Sequence, residues 1–424
     1  MQYQVTTLKN GATLLRIPMA SAASVTVLAL VNAGRRYEDE RVAGISHFLE
    51  HMVFKGTKKY PTPQALSAVV DEVGGEFNAF TSKEYTGYYV KLAARFTDLA
   101  LDVVTDLLCT PQLRQEDIDR EVGVILEEMN MYEDMPMRNV GDVFEELMFA
   151  GSNLAGRILG TKEAVRSLKT ADFQQYLHDW YGFKNIVFVV AGNAAQVNDP
   201  GLEAKVEEML AKGGSDRQAG EQRPYFQKRY GADKINVVQK KTEQAHFIMG
   251  FPGYDRNDER RYGLSVLSTL MGKTMSSRLF TEIREKRGLC YYVRSETDFY
   301  HDVGVFGASA GVDPNRVNEA VGAMRAEFMA AVGAKPVTEA EVNAAKQNLI
   351  GSLLLELEDS HSVASWYGMK QLLEGKVETE EETIASLEKI TLESVQNIAQ
   401  DLLQPEQLRF ALIGPFSQTD IKIA

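Results

Sequence analysis

Two histidines and a glutamate crowd one short stretch of this chain: His47, Glu50 and His51, in the run HFLEHMVFKGT that begins at His47. Residues four apart on an α-helix lie one above the other, so His47 and His51 share a face and Glu50 falls beside them on the same side. Two imidazoles one turn apart allow a helix to chelate zinc, with metal–nitrogen bonds of about 2.0–2.1 Å. A carboxylate next to such a metal can take the proton of an attacking water. The order H-x-x-E-H therefore carries the chemistry of metal-assisted hydrolysis, with Glu50 as general base. The plain alternative is a solvated helix face that contains two histidines. Such faces are usually built of Lys and Glu, and the chain has only six histidines in all.

A third ligand has to come from another element. Asp117 to Tyr132 reads as a second helix, with Ile118, Ile125, Met129 and Tyr132 at three-, four- and seven-residue steps forming its inward stripe. Glu121 and Glu128 fall inside that stripe, where a carboxylate is costly unless it is paired, hydrogen-bonded or bound to a metal. Histidine-held zinc would supply the partner. Glu127 is turned about 100° from Glu128 toward the outer face, so helical phase favours Glu128 as the ligand. Glu121 would then hydrogen-bond a ligand histidine and fix its tautomer and ring orientation. In the alternative reading both glutamates pair with buried Arg or Lys.

The elements that must position these side chains occur twice. The first helix, Val42 to Val53, has an apolar stripe of Val42, Ile45, Leu49, Met52 and Val53 with Phe48 beside it. Its entry, DERVAGIS from Asp39, recurs without a gap as DERRYGLS from Asp258. Each half alternates strand-like and helical segments and closes on an apolar strand, IVFVVAG from Ile186 and RFALIG from Arg409. The expectation is an α+β chain of two similar domains, residues 1–217 and 218–424, each a mainly antiparallel sheet packed with helices. A polar stretch from about Ala194 to Gly231 would link them. By simple counting, His47, Glu50 and His51 align with Val266, Thr269 and Leu270. In the second half the helix from Val342 has no carboxylate until Glu356. A requirement of the fold would have applied to both copies, so the polar set reads as an addition for chemistry.

Composition narrows the partners. With 59 acidic and 46 basic side chains the formal charge is -13, which opposes a nucleic-acid or anionic-membrane partner. Cys109 and Cys290, in separate halves, suggest neither a disulfide framework nor a cysteine zinc site. No segment offers about 18 uninterrupted apolar residues, and the N-terminus lacks a basic stretch followed by an apolar run. These features lead to an expectation of a cytoplasmic protein without membrane insertion.

Taken together, HFLEHMVFKGT, the REVGVILEEM helix and the repeat resemble the pitrilysin/insulinase zinc peptidases, especially the two-domain branch related to mitochondrial processing peptidase. The resemblance spans nearly the whole chain. It implies His47, His51 and Glu128 as ligands of one Zn2+ per chain, Glu50 as general base and Glu121 as the supporting carboxylate. Phase analysis reaches the same assignment. It also implies clamshell halves around a chamber, and assembly as a homodimer or with a hetero-partner of the same family. The segment GGEFNAFTSKEYTGYYVK looks like the family's substrate-binding edge, with Asn78, Ala79 and Phe80 as backbone-binding positions for an extended peptide. Ordinary sheet packing is the competing reading for each of these side chains. In SSRLFTEIREKRGLCYYV, Arg284 and Tyr291 match the pair that the family's C-terminal half sends toward substrate, Arg284 to hold its backbone and Tyr291 to hydrogen-bond the developing oxyanion. Lys286, Arg287 and Gly288 read instead as a helix ending. One departure is MGKTMSSRLF, which carries Gly272 alone where this branch often has a run of glycines.

The expected activity is thus that of a zinc endopeptidase acting on peptides or unfolded segments. Its rivals are a noncatalytic peptide-binding or structural subunit, and an amidase acting on small molecules.

Overall fold

The computed structural model describes residues 1–213, 217 and 230–423. Two sheets organise it. The first comprises β1 (Gln4–Thr7), β2 (Thr13–Met19), β3 (Ser24–Val31), β4 (Glu76–Thr81), β5 (Thr86–Ala93) and β6 (Ile186–Asn193), in the order β1-β2-β6-β3-β5-β4. The second comprises β7 (Ile235–Gln239), β8 (Ala245–Gly253), β9 (Cys290–Phe299), β10 (Gly304–Val312) and β11 (Arg409–Gly414), in the order β7-β11-β8-β10-β9.

With β1 set aside, the two orders are the same topology written twice. β2 runs parallel to β6 as β7 does to β11, and every other neighbouring pair is antiparallel. The duplication inferred from DERVAGIS and DERRYGLS is therefore a duplication of strand order. The helices Ile45–Val53 and Arg261–Ser268 occupy equivalent places, each following the second strand of that shared pattern.

Two compact units result, and they are discontinuous in sequence. One takes Met1–Met129, Gly156–Tyr225 and Leu354–Glu380; the other takes Asn130–Ala155, Phe226–Leu353 and Glu381–Ala424. Within the first, β3 and β6 are buried along nearly their whole length, which is why both are mostly apolar rather than alternating. The helix Thr97–Cys109 packs on β3 and β5, and the helix Ser360–Glu374, from far along the chain, packs on β3 and β6. Gly368 lets that helix settle: a Cβ there would stand 2.8 Å from Leu30 and 2.9 Å from Val189. Within the second unit, the helix Pro136–Met148 lies on β11 and β8, and its Val140, Val143, Phe144 and Met148 cluster with Val305, Ala411 and Ile413. Two segments thus cross the expected sequence division, and the boundary expected near residue 218 falls on residues outside those described.

Three local expectations are revised. The motif helix begins at Ile45, because Gly44 sits at φ 95°, a left-handed conformation that stops the α-helix from extending back to Val42; Glu40–Val42 forms a separate 3-10 turn. The polar stretch after Ala194 is in part helical, since Leu202, Val206 and Leu210 recur at four-residue steps and are buried along the helix Leu202–Leu210. Thr269–Lys273, the approach to Ser276, is a π-helical turn with Gly272 packed against Ser295, rather than part of an open loop. Cys109 and Cys290 are both free thiols, and among the described residues no helix is long and apolar enough to cross a membrane.

Candidate metal centre

The helix Ile45–Val53 is fixed at its start by Glu38, whose buried carboxylate accepts from the N–H of Gly44 (2.6 Å) and of Ser46 (2.8 Å). That satisfies two of the unpaired donors at a helix N-terminus. Ser46 hydrogen-bonds Tyr176 (2.7 Å), and Phe48 meets Phe173 edge-on at 5.0 Å. With Ile45, Phe48, Leu49, Met52 and Val53 buried, the helix can rotate neither way, and His47, Glu50 and His51 are held on the remaining side.

The second helix spans Gln115–Glu133. Ile118, Ile125 and Met129 are buried as its stripe requires, Tyr132 is half-buried, and Glu127 points to solvent. Glu128 turns toward the histidines. Its Oε2 lies 3.6 Å from His47 Nε2 and 3.5 Å from His51 Nε2, and one donor atom from each of the three residues falls within 4.8 Å of the others. A tetrahedral zinc with bonds near 2.0–2.1 Å needs ligand atoms about 3.3 Å apart, so the two nitrogen–carboxylate separations are close to those of a metal cage. Two imidazoles and a carboxylate are also the donor types zinc prefers.

Electrostatics agree with that fit. Burial, and the neighbouring His51 charge, push His47 down to about 3, leaving the neutral imidazole that metal ligation requires. Burial works against a charge on His51, but the hydrogen bond to Glu121 and the charges of Glu128, Glu121 and Glu50 outweigh it and raise its pKa. Burial raises Glu128, with Glu121 adding to the effect and His51 opposing it. A divalent cation held between the half-buried Glu128 carboxyl and the two imidazoles would offset the burial that raises Glu128.

Glu121 takes the place phase analysis gave it, 2.9 Å from His51 Nδ1. It is 4 % exposed, and its other oxygen is 2.6 Å from Lys55 Nζ. Burial would raise its pKa, yet these two hydrogen bonds hold it below the usual value. The lysine-pairing alternative thus holds for Glu121 alongside the histidine contact, while Glu128 has only the histidines among the described cations. Glu50 is half-buried and accepts from Thr81 Oγ1 at 2.5 Å. Burial raises its pKa, with Thr81 and His51 pulling the other way. Sequence reasoning missed Lys55 and Thr81. Lys55 stands four residues beyond His51, a helical spacing that could have suggested it; Thr81 reaches Glu50 only through the sheet.

Thr81 ends β4, the edge strand of the first sheet. Ala79 and Thr81 share the face toward the motif helix, and Phe77 on that face meets Phe54 at 5.7 Å. Asn78 is exposed opposite Tyr89, and Phe80 lies opposite Gly87 on the other face. The Asn78 side chain accepts from the Ala79 N–H at 2.9 Å. Asn78, Ala79 and Phe80 therefore stand on a sheet edge, on the strand whose Thr81 reaches Glu50.

Arg284 and Tyr291 belong to the second unit and meet there: the guanidinium lies 5.5 Å from the Tyr291 ring centre and 4.7 Å from that of Phe280. Tyr291 is 77 % exposed. Arg287 ends the turn Phe280–Lys286 and donates to Glu282, and Gly288 follows at φ 56°, the helix ending read from the sequence. At the places equivalent to His47, Glu50 and His51, the buried Val266, Thr269 and Leu270 fill the second unit's interior.

Comparison with known proteins places these observations among relatives. Residues 16–162 match the model of the insulinase family, peptidase family M16, and residues 167–349 match that of the peptidase M16 inactive domain. An uncharacterized zinc protease of Streptomyces coelicolor is 36% identical over 414 residues, covering 97% of this chain and 89% of the relative. An uncharacterized zinc protease of Bacillus subtilis, YmxG, is 35% identical over 409 residues, covering 96% and 97%. Among solved structures, a protease from Helicobacter pylori superposes with a TM-score of 0.85 at 22% identity, covering 98% of this chain and 99% of its own. A peptidase M16 inactive domain from Pseudomonas fluorescens does so at 0.89 with 16% identity, covering 98% of each. These last two likenesses bear on the fold.

Proposed function

This chain belongs to the insulinase family of peptidases, M16, and from that premise we propose that it is a zinc-dependent endopeptidase cutting peptides or unfolded segments. The observation that carries the proposal is the convergence of His47, His51 and Glu128 donor atoms within 4.8 Å, with Glu50 on the same helix face. Those three residues would hold one zinc per chain. Bound there, zinc would supply Lewis acidity, which makes an attacking water easier to deprotonate near neutral pH.

The chain's own groups do the rest. Glu50 takes the proton of the attacking water and later delivers it to the leaving nitrogen. Glu121, tied to Lys55, keeps the proton of His51 on Nδ1 and so leaves Nε2 as a lone-pair donor. The edge strand β4 pairs with an extended peptide through Asn78, Ala79 and Phe80, orienting its backbone beside Glu50. From the C-terminal half, Tyr291 donates a hydrogen bond to the negative charge that develops on the carbonyl oxygen, and Arg284 holds the substrate backbone. On this reading residues 1–217 form the catalytic half and 218–424 the substrate-contacting half. The chain would act as a cytoplasmic homodimer that holds its substrate in a chamber.

The relatives named zinc proteases support the peptidase class. The inactive-domain match covers the half in which Val266, Thr269 and Leu270 replace the polar set, so it does not weaken the catalytic reading of the first half. The test is cleavage of an unstructured peptide mixture before and after zinc removal, with peptides of graded length. Loss of cutting on chelation, recovery with added zinc and a preference for longer peptides are expected. Binding without cleavage at any zinc level would favour the noncatalytic subunit, and cleavage of small amides alone would favour the amidase.

A further inference from the structure

We infer that Thr81 is a positioning residue for Glu50, tying the general base to the strand that receives the peptide. The inference rests on the peptidase reading above and deepens it. Thr81 Oγ1 donates to Glu50 Oε2 at 2.5 Å and is the only hydrogen-bond partner Glu50 has among the described residues. One carboxylate oxygen is thereby fixed, and the other remains to accept a proton. A glutamate has three rotatable side-chain bonds, and holding it in a productive position removes an entropic cost from the reaction.

Thr81 is itself rigidly placed. It pairs with Thr86 across β4 and β5, and the Thr86 hydroxyl donates to Ala33 O at 2.9 Å. The turn between them is closed by Ser82 N–H to Tyr85 O (2.8 Å), and Arg36 N–H donates to Lys83 O (2.8 Å). The tip is anchored by Arg36, Lys83 and Glu84, all buried, through the Arg36–Glu84 ion pair at 2.6 Å and a Lys83 bond to Gly156 O at 2.8 Å. Charged groups buried with partners at a hairpin tip resist displacement, so the Thr81 hydroxyl is a fixed donor rather than a rotor on a loose loop. Two residues before it on the same face is Ala79, one of the peptide-pairing positions. A peptide added to β4 therefore binds the same strand that orients the base.

The test compares Thr81→Val, which swaps hydroxyl for methyl, with Thr81→Ser, which keeps the hydroxyl. For Thr81→Val the expected result is a kcat lower by about 10- to 100-fold, the scale of a lost hydrogen bond to a charged group. KM, zinc content and peptide affinity of the zinc-free protein should match wild type, and Thr81→Ser should remain within about threefold of wild-type kcat. A Thr81→Val enzyme with wild-type kcat overturns the inference, as does an equal loss in Thr81→Ser or a fall in kcat matched by lost zinc or peptide binding. The crystal structure of Thr81→Val decides it independently of turnover: the Glu50 carboxylate should leave its wild-type position, and a carboxylate that stays put overturns the inference. If wild type cuts no peptide, the peptidase reading fails while this structural comparison still judges Thr81.

Discussion

Replacing Glu121 by glutamine would weaken zinc binding without emptying the fold of a side chain. In the native protein Glu121 accepts from His51 Nδ1 at 2.9 Å and from Lys55 at 2.6 Å in a nearly dry setting. Glutamine keeps the volume and one acceptor but loses the charge. Hydrogen bonds to charged groups contribute about 1.5–3 kcal/mol against about 0.5–1.5 for neutral ones, so the change costs about 1–1.5 kcal/mol of His51 support. At about 1.4 kcal/mol per tenfold, zinc affinity should fall by about 5- to 12-fold. Lys55 is 31 % exposed and can turn to water, so the zinc-free variant should fold. The assay is competition for zinc against a chromogenic chelator, with thermal unfolding of the zinc-free proteins as control. An unchanged zinc Kd in a folded Glu121→Gln variant would refute the assignment of Glu121 as the group that orients His51.

Two further predictions follow from the second unit. Burial would raise the Glu341 carboxyl, but paired hydrogen bonds from Arg278 (2.7 Å each), with Thr338, hold it down at about 2. Because the folded pKa lies below the ordinary 4.5, the stabilisation is complete above about pH 4.5 and is lost as pH falls toward 2. The full shift would correspond to about 3 kcal/mol; with Glu341 31 % exposed we expect Glu341→Gln to lose about 2 kcal/mol at pH 7, a gap to wild type that closes in acid, read by urea unfolding across pH. Tyr291→Phe should leave stability within about 0.5 kcal/mol, since the side chain is exposed, while lowering kcat by about 10²- to 10³-fold in peptide cleavage assays.

Much of the site was legible because it is local. His47, Glu50 and His51 share a helix face by spacing alone, and Glu121 and Glu128 betray themselves as carboxylates inside an apolar stripe. The duplicated halves could be read from DERVAGIS and DERRYGLS, and their shared strand order followed. What escaped depends on contacts between elements far apart in the chain. Thr81 meets Glu50 through the placement of β4 beside the motif helix, and Lys55 meets Glu121 across the gap between two helices. The helices Pro136–Met148 and Ser360–Glu374 each join the compact unit built mainly from the other half, because packing surface, not sequence order, decides where an apolar helix face is buried. Gly44 ended a helix that apolar spacing alone would have carried back to Val42, since periodicity says nothing about the sign of φ.

The central claim, that Glu50 is the base of a zinc peptidase, is tested most directly by comparing wild type with Glu50→Gln on an unstructured peptide mixture. Products would be read by mass spectrometry and zinc content by elemental analysis. The account predicts that the variant keeps wild-type zinc, because Glu50 is not among the three converging donors, yet cuts slower by roughly 10²- to 10⁴-fold. A Glu50→Gln protein that carries zinc and cleaves at the wild-type rate would contradict it.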